Sequence, residues 1–338
     1  MKAVAFSEHG SADVLRYHED FPEPIVGKDE VGVDIQYCGL NHLDIWTRQG
    51  IAGKKIRLPH ICGCDIVGRT IKGNKRVIIY PGVSCGKCKY CTRGKPNTQE
   101  NLCSQFAIIG GMSDYNGGYA ERIAVPQKNV ISLPPGLKDE AAATLAVSYL
   151  TAWNILETSK VSIGKTILVY GASSGVGMAT IQLAKALGAT VITTVSGNSK
   201  YDFAKKLDAD YIIDRTGQDI EDEVKKIVPG GVDIVIDHVG AATWRTSIAV
   251  LRQGGRMAVC GMTSGNEATV PIRAFYTKQI VMIGYLLGTK RQLEGLIDFV
   301  MRKSIQPVID SVFQLQDAKD AQKKMEMGLQ AGKILLKL

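Results

Sequence analysis

Four cysteines, Cys85, Cys88, Cys91 and Cys103, fall in one short stretch of the chain. The spacing Cys-x2-Cys-x2-Cys, with a fourth cysteine further on, supplies four soft donors of the kind that close a tetrahedral zinc site. Such a site leaves no position open for a substrate. The expectation is therefore one structural zinc per chain, stapling a lobe and doing no chemistry itself. Cys38, Cys62, Cys64 and Cys260 are scattered, and 338 residues is not the small secreted format that carries a disulfide framework. A short four-cysteine knuckle can also mark a nucleic-acid module. Here the formal charge of +8 comes with no basic block and no aromatic-interleaved stripe, so it reads as a solvated surface and no nucleic-acid partner is expected.

A second constellation is Gly171-Ala172-Ser173-Ser174-Gly175-Val176-Gly177. It follows the apolar run Thr166-Ile-Leu-Val-Tyr and opens a helical pattern over 176–187. A chain that turns sharply from strand to helix brings its backbone N–H groups against a pyrophosphate, and the helix N-terminus favours the anion. Glycine and very small residues allow that approach, so the turn is read as a dinucleotide site. An acidic residue about twenty positions on would grip the ribose of NAD. That place holds Val195, followed by Ser196, and Lys200 lies just beyond. With no carboxylate to repel a 2′-phosphate, Ser196, Lys200 and Arg215 are candidates to hold it. NADPH is the expected cofactor and NADH the alternative.

The elements that must carry these groups are of two kinds. Residues 1–145 are rich in Gly, Pro and short β-branched runs such as 31–37, 76–80 and 121–125, which predict an irregular β domain. After Leu133-Pro-Pro-Gly136, helical spacing runs from Asp139 to Leu156. From Thr166 onward, six short apolar strands alternate with helical spacers, at 166–170, 190–195, 211–213, 233–236, 256–260 and 280–283. That alternation predicts an α/β doubly wound parallel sheet over residues 146–287. The segment 288–338 reads as two amphipathic helices and a strand, Lys333-Ile-Leu-Leu-Lys-Leu, that returns to the first domain. No apolar run approaches the ~20 residues needed to cross a bilayer. The opening residues read as a short strand broken by an acid, without the long apolar centre of a secretory leader. The expectation is a cytoplasmic protein with no membrane partner.

Glycine turn, cysteine cluster and domain order together resemble the medium-chain dehydrogenase/reductase superfamily over essentially the whole chain. Further stretches carry the resemblance: Cys38-Gly-Leu-Asn-His-Leu-Asp44 with Arg48-Gln-Gly50, Gly63-Cys-Asp-Ile-Val-Gly68, Asn116-Gly-Gly-Tyr-Ala-Glu121, Leu150-Thr-Ala-Trp153 and Asp237-His-Val-Gly240. The resemblance implies a GroES-like β domain, a Rossmann domain, and an active site in the cleft between them. It also implies that Val239, Gly261 and Tyr285 lie near the nicotinamide.

Zinc alcohol dehydrogenases of that family hold a catalytic metal on a Cys, a His and a further Cys. The matching positions here read Asn41, Cys64 and Val147, with Asp65 in place of a Glu. An amide is a poor zinc ligand beside thiolate and imidazole. The segment Gly39–Gly50 is similar to that of the quinone reductase branch, whose members lack the catalytic metal. The implied reaction is hydride transfer from NADPH to a quinone, enal, enone or enoyl-CoA. Asn41 is the candidate amide donor, His42 the candidate proton relay and Asp65 a third site residue. Two other readings stay open: a zinc alcohol dehydrogenase with a metal site rearranged around His42, Cys64 and Asp65, and an NADPH-binding protein without activity. The family's habit of pairing through the last Rossmann strand, here near Ile280–Ile283, implies a homodimer or homotetramer.

Overall fold

The computed structural model describes residues 1–51, 53, 55–92 and 99–338. The chain forms two compact units, Met1–Leu150 with Thr289–Leu338, and Thr151–Gly288.

The first unit is built on a seven-stranded sheet. In order it runs Ile309–Gln314, Lys333–Lys337, Glu30–Gly39, Asp65–Thr70, Arg76–Ile79 and Val130–Ser132, with Arg122–Pro126 also paired to Glu30–Gly39. The return segment enters this sheet. Lys333–Lys337 lies antiparallel to Glu30–Gly39, with Leu336 opposite Cys38 and Leu335 opposite Gly39. On its other side, Glu30–Gly39 pairs Gly39 with Asp65. Period-2 alternation sends Val33, Ile35, Ile66, Ile79, Ile334 and Leu336 into one apolar core. The tail helices Lys290–Arg302 and Ala318–Glu326 each bury one face, the first through Leu293, Leu296, Ile297 and Val300, the second through Ala321 and Met325.

The helix expected from Asp139 to Leu156 is interrupted. A short helix Asp139–Ala142 gives way to a π-helical turn, Leu145–Tyr149, before Leu150–Thr158 continues. Two side chains account for the break. Thr144 Oγ1 bonds back to the Ala141 carbonyl at 2.7 Å, and the Val147 N–H is drawn to Asp65 Oδ1 at 2.7 Å. Ala141, Leu145, Ser148, Ala152 and Ile155, at helical spacing along this stretch, are nevertheless all buried.

The second unit is the parallel sheet. Its six strands run in the order Tyr211–Asp214, Thr190–Val195, Thr166–Val169, Val232–Asp237, Leu251–Val259 and Val281–Gly284, every pair parallel. Strand order reverses between Thr166–Val169 and Val232–Asp237, which creates a crevice beyond their carboxyl ends. Leu168, Ile192, Ile213, Val235, Ile248 and Met257 form its core.

One buried histidine makes the first unit sensitive to acid. His60 is fully buried, bonded through its backbone to Phe6 and packed edge-on to the Phe6 ring at 5.7 Å. Burial pushes its pKa down to about 4, against the opposing pull of the Gly110 backbone and Asp114. The unfolded chain takes up this proton near pH 6.5, whereas the folded chain does not until about 4. His60 therefore costs no stability above pH 6.5. As pH falls from there to about 4, stability declines by on the order of 1.4 kcal/mol per unit. His60→Phe should flatten that limb in urea melts; equal slopes for wild type and variant would refute the assignment.

Candidate functional site

The register of the first sheet decides what meets what. Gly39 lies between Leu335 and Asp65, so the chain leaving that strand, Leu40-Asn41, arrives beside Lys333 and Asp65. Gly39 must be glycine, because a Cβ there would stand 2.2 Å from the Ala143 carbonyl oxygen. The result is a buried polar cluster. Lys333 Nζ donates to Leu40 O (2.6 Å), Asn41 Oδ1 (2.8 Å) and Asp65 Oδ2 (2.9 Å), with Ser148 Oγ at 3.4 Å. Asn41 Nδ2 donates to Asp65 Oδ2 at 2.9 Å and to Gly39 O at 3.3 Å, and Ser148 Oγ donates to Asn41 Oδ1 at 3.1 Å. Both hydrogens of the Asn41 amide are thus engaged within the protein.

Asn41 also precedes the helix His42–Gln49. Its backbone N–H donates to Asp44 Oδ2 at 2.8 Å. Asp44 further accepts from the Tyr119 hydroxyl (3.1 Å) and the Gly63 N–H (3.2 Å), so it holds two loops together. Burial is the main reason its carboxyl is pushed up to about 7. Cys64 Sγ is turned toward Asp44 Oδ1 at 3.9 Å, and burial followed by the Asp44 charge raises its thiol well above the usual range. His42, on the first turn of the helix, is held below its ordinary value, first by burial and then by the Lys333 charge, against the pull of Glu326.

In the second unit the glycine turn lies where strand order reverses. Ser174 caps the helix Gly175–Ala186 by accepting from the Gly177 N–H at 2.9 Å. A Cβ on Gly177 would lie 2.2 Å from the Gly171 carbonyl oxygen, so only glycine lets the helix start this close to the strand. Ala172 and Ser173 lie in the turn, and Gly175 and Val176 open the helix. Opposite it, His238 Nε2 lies 3.0 Å from Ser174 Oγ. Sequence reasoning missed His238, although it immediately precedes Val239. Val239, Gly261 and Tyr285 follow the carboxyl ends of three neighbouring strands. Gly261 backs closely onto the His238 carbonyl, and the Tyr285 N–H donates to Val259 O at 2.8 Å.

Ser196, Lys200 and Arg215 gather at the far end of the same edge. The Arg215 N–H donates to the Val195 carbonyl at 3.1 Å, and Lys200 is held below its ordinary value by burial and by the Arg215 charge. Two cations pressed together there make an anion-seeking corner. The nearby Asp214 carboxylate accepts from the Gly197 N–H at 3.1 Å and from the Thr216 N–H and hydroxyl, and it also feels the Arg215 charge.

Cys85, Cys88, Cys91 and Cys103 bring their Sγ atoms within 4.8 Å of one another, with Cys88 and Cys91 3.5 Å apart. Zinc–thiolate bonds of ~2.3 Å place tetrahedral sulfurs about 3.8 Å from one another, so the set fits a closed site. The backbone amides of Lys87 and Cys88 bring the Cys85 thiol down to about 6, while burial pushes that of Cys91 up to about 11. Most of the long link between Cys91 and Cys103 falls on residues 93–98, outside the described residues. Among the described residues no other group of acidic, histidine and cysteine ligands converges in this way. No helix among them is long and apolar enough to cross a membrane.

A β domain with a four-cysteine lobe and a parallel sheet with a glycine-turn crevice define a two-domain dinucleotide oxidoreductase. The sequence model of the alcohol dehydrogenase GroES-like domain matches residues 27–135, and that of the zinc-binding dehydrogenase domain matches residues 175–302. The chain is 30% identical to an acryloyl-coenzyme A reductase of Sulfurisphaera tokodaii, over 94% of this chain and 95% of that one. It is 26% identical to a quinone oxidoreductase of Mus musculus, over 100% and 98%. A crystal structure of an NAD-dependent alcohol dehydrogenase superposes over the whole of both chains with a TM-score of 0.92 at 35% identity. The chain belongs to the medium-chain dehydrogenase/reductase superfamily, and it is an oxidoreductase.

Proposed function

We propose that this enzyme is an NADPH-dependent reductase that delivers hydride to a quinone or an activated double bond without a catalytic metal. The carrying observation is where the atoms at the metal-ligand positions point. Asn41 Oδ1 faces an ammonium and a hydroxyl, Cys64 Sγ faces Asp44, and Val147 contributes only a backbone N–H, to Asp65. That is no set of donors for zinc, which favours converging thiolates and imidazoles.

A bound nicotinamide supplies the hydride. The Gly171–Gly177 turn and the helix behind it bind the pyrophosphate, and Ser196, Lys200 and Arg215 hold the 2′-phosphate. Val239, Gly261 and Tyr285 border the nicotinamide. His42 is kept neutral at physiological pH, so it presents one N–H and one lone pair and can pass a proton to the reduced substrate. Asn41 acts chiefly by placement. Its amide reaches a substrate oxygen only by releasing the longer bond to Gly39 O. The strand Val281–Gly284 is paired on one side only among the described residues, and Val281 is exposed, which supports assembly as a homodimer or homotetramer through that edge.

A second reading, a zinc-dependent alcohol dehydrogenase, is favoured by the alcohol dehydrogenases among the relatives. A substrate panel separates the two. The expected enzyme consumes NADPH with enones, enals or quinones, oxidises simple primary alcohols poorly, and is indifferent to chelators. Asn41→Ala and His42→Ala should each lower kcat by about 10–100-fold while changing NADPH affinity little. Chelator-sensitive oxidation of ethanol or benzyl alcohol would transfer the case to the zinc reading.

For the cofactor, NADPH should bind more tightly than NADH, and Lys200→Ala should narrow the gap by about tenfold, as read by fluorescence titration. Tighter binding of NADH by the wild type would refute the phosphate corner. For the metal, elemental analysis should give one zinc per chain. Cys88→Ser should lose it and melt earlier, with turnover retained at low temperature. A second zinc in the wild type would count against a metal-free reaction.

A further inference from the structure

Lys333 comes from the return segment, 268 residues away from Asp65 in sequence, and no motif marks it. It is 2% exposed, and Asp65 is fully buried. Four oxygens converge on its Nζ: a carbonyl (Leu40), an amide (Asn41), a carboxylate (Asp65) and a hydroxyl (Ser148), at 2.6–3.4 Å. These are ammonium distances. Zinc or magnesium would need oxygens drawn in to about 2.0–2.2 Å. The three ammonium hydrogens are satisfied by Leu40, Asn41 and Asp65, so Lys333 has none left for a substrate.

We propose that Lys333 is a positioning residue whose ammonium is the built-in cation of the candidate site, seated in a four-oxygen cage. It fixes Asn41 and Ser148. The inference rests on the metal-free reading above and extends it. The ammonium clamps Asn41 Oδ1, which turns Asn41 Nδ2 toward Asp65 and sets the start of the helix that carries His42. Removing the ammonium while keeping the cage leaves a carboxylate and three neutral oxygens around a space of ammonium size. Ammonium or methylammonium from solution fits that space; sodium prefers shorter contacts, and tetramethylammonium offers no N–H.

The test uses the full-length, zinc-loaded enzyme and Lys333→Ala. Melting temperature is measured in ammonium, methylammonium, sodium and tetramethylammonium chlorides at equal ionic strength. In the same salts, kcat is measured with NADPH and but-3-en-2-one well below the melting range. The variant should lose on the order of 10²-fold in kcat with little change in NADPH affinity. Ammonium or methylammonium should raise its melting temperature and recover on the order of tenfold in kcat. Sodium and tetramethylammonium should do neither. Wild-type kcat in the variant, ammonium acting no better than sodium, or a rescue of melting without kcat would each overturn the proposal.

If Lys333→Ala fails to fold, the volume-conserving pair Lys333→Met with Asp65→Asn removes both charges together. It should fold, bind NADPH and turn over poorly; full turnover would overturn the proposal. The metal-free reading is judged separately, by the chelator response of the wild type. If the wild type reduces no enone, enal or quinone of the panel, that reading fails, and the melting experiment still decides whether the cage is a cation site.

Discussion

A charge pair shut away from water sets the terms for the rest of the first unit. Taking Lys333 and Asp65 out of solvent is costly unless both are paired and their remaining valences are filled. Filling them takes Leu40 and Asn41, the Val147 N–H and Ser148, from two further segments of the chain. Each of these segments must arrive at a fixed point. The pairing of Gly39 with both Leu335 and Asp65 delivers the first, Leu40-Asn41. The absence of a side chain on Gly39 lets the Ala143 region close over the pair, and the π-helical turn that follows exposes the Val147 N–H that Asp65 accepts. Packing errors elsewhere in the sheet would be felt here first, because a lost partner leaves a buried charge and not merely a void.

The second unit solves a different problem with different means. Its sheet is buried by apolar strands, and its polar chemistry is confined to the carboxyl edge, where strand ends release the backbone. Along that edge lie the glycine turn with its serine cap, His238 beside it, and the Lys200–Arg215 corner. The helix-end N–H groups of the turn and the neighbouring positive charges of Lys200 and Arg215 are features that favour an anion. The first unit's cluster has the opposite character, since its donors and acceptors satisfy one another.

Much of this was legible in the sequence. The parallel strands appear as short apolar runs with helical spacers, the strand-to-helix turn as closely spaced glycines after a strand, and the four-cysteine lobe as cysteine spacing. All three are local signals. The Asn41, Cys64 and Val147 positions were legible only through resemblance. Lys333 was not legible at all: a lysine in Lys333-Ile-Leu-Leu-Lys reads as a solvent-facing residue at a strand start, and only the register against Glu30–Gly39 turns it inward. The break in the helix after Ala142 was equally hidden, because Asp65, which draws off the Val147 N–H, lies 82 residues earlier. His238 stood one residue outside the expected set, and its contact with Ser174 depends on strand order, not on spacing.

The return of the chain's last segment to its first sheet has a consequence for synthesis. Domains emerging from a ribosome begin to fold from the N-terminal side. Until Lys333 is made, Asp65 lacks its counter-charge, and Tyr37–Gly39 lacks a neighbouring strand on the side opposite Asp65–Thr70. The second unit, by contrast, holds all six of its strands by residue 284. The nascent protein can thus finish its parallel-sheet half while its other half waits, partly open-edged, for Lys333–Lys337. Quality control that recognises unpaired strands and unbalanced buried charge would see a truncated chain as unfinished even if the nucleotide fold were intact.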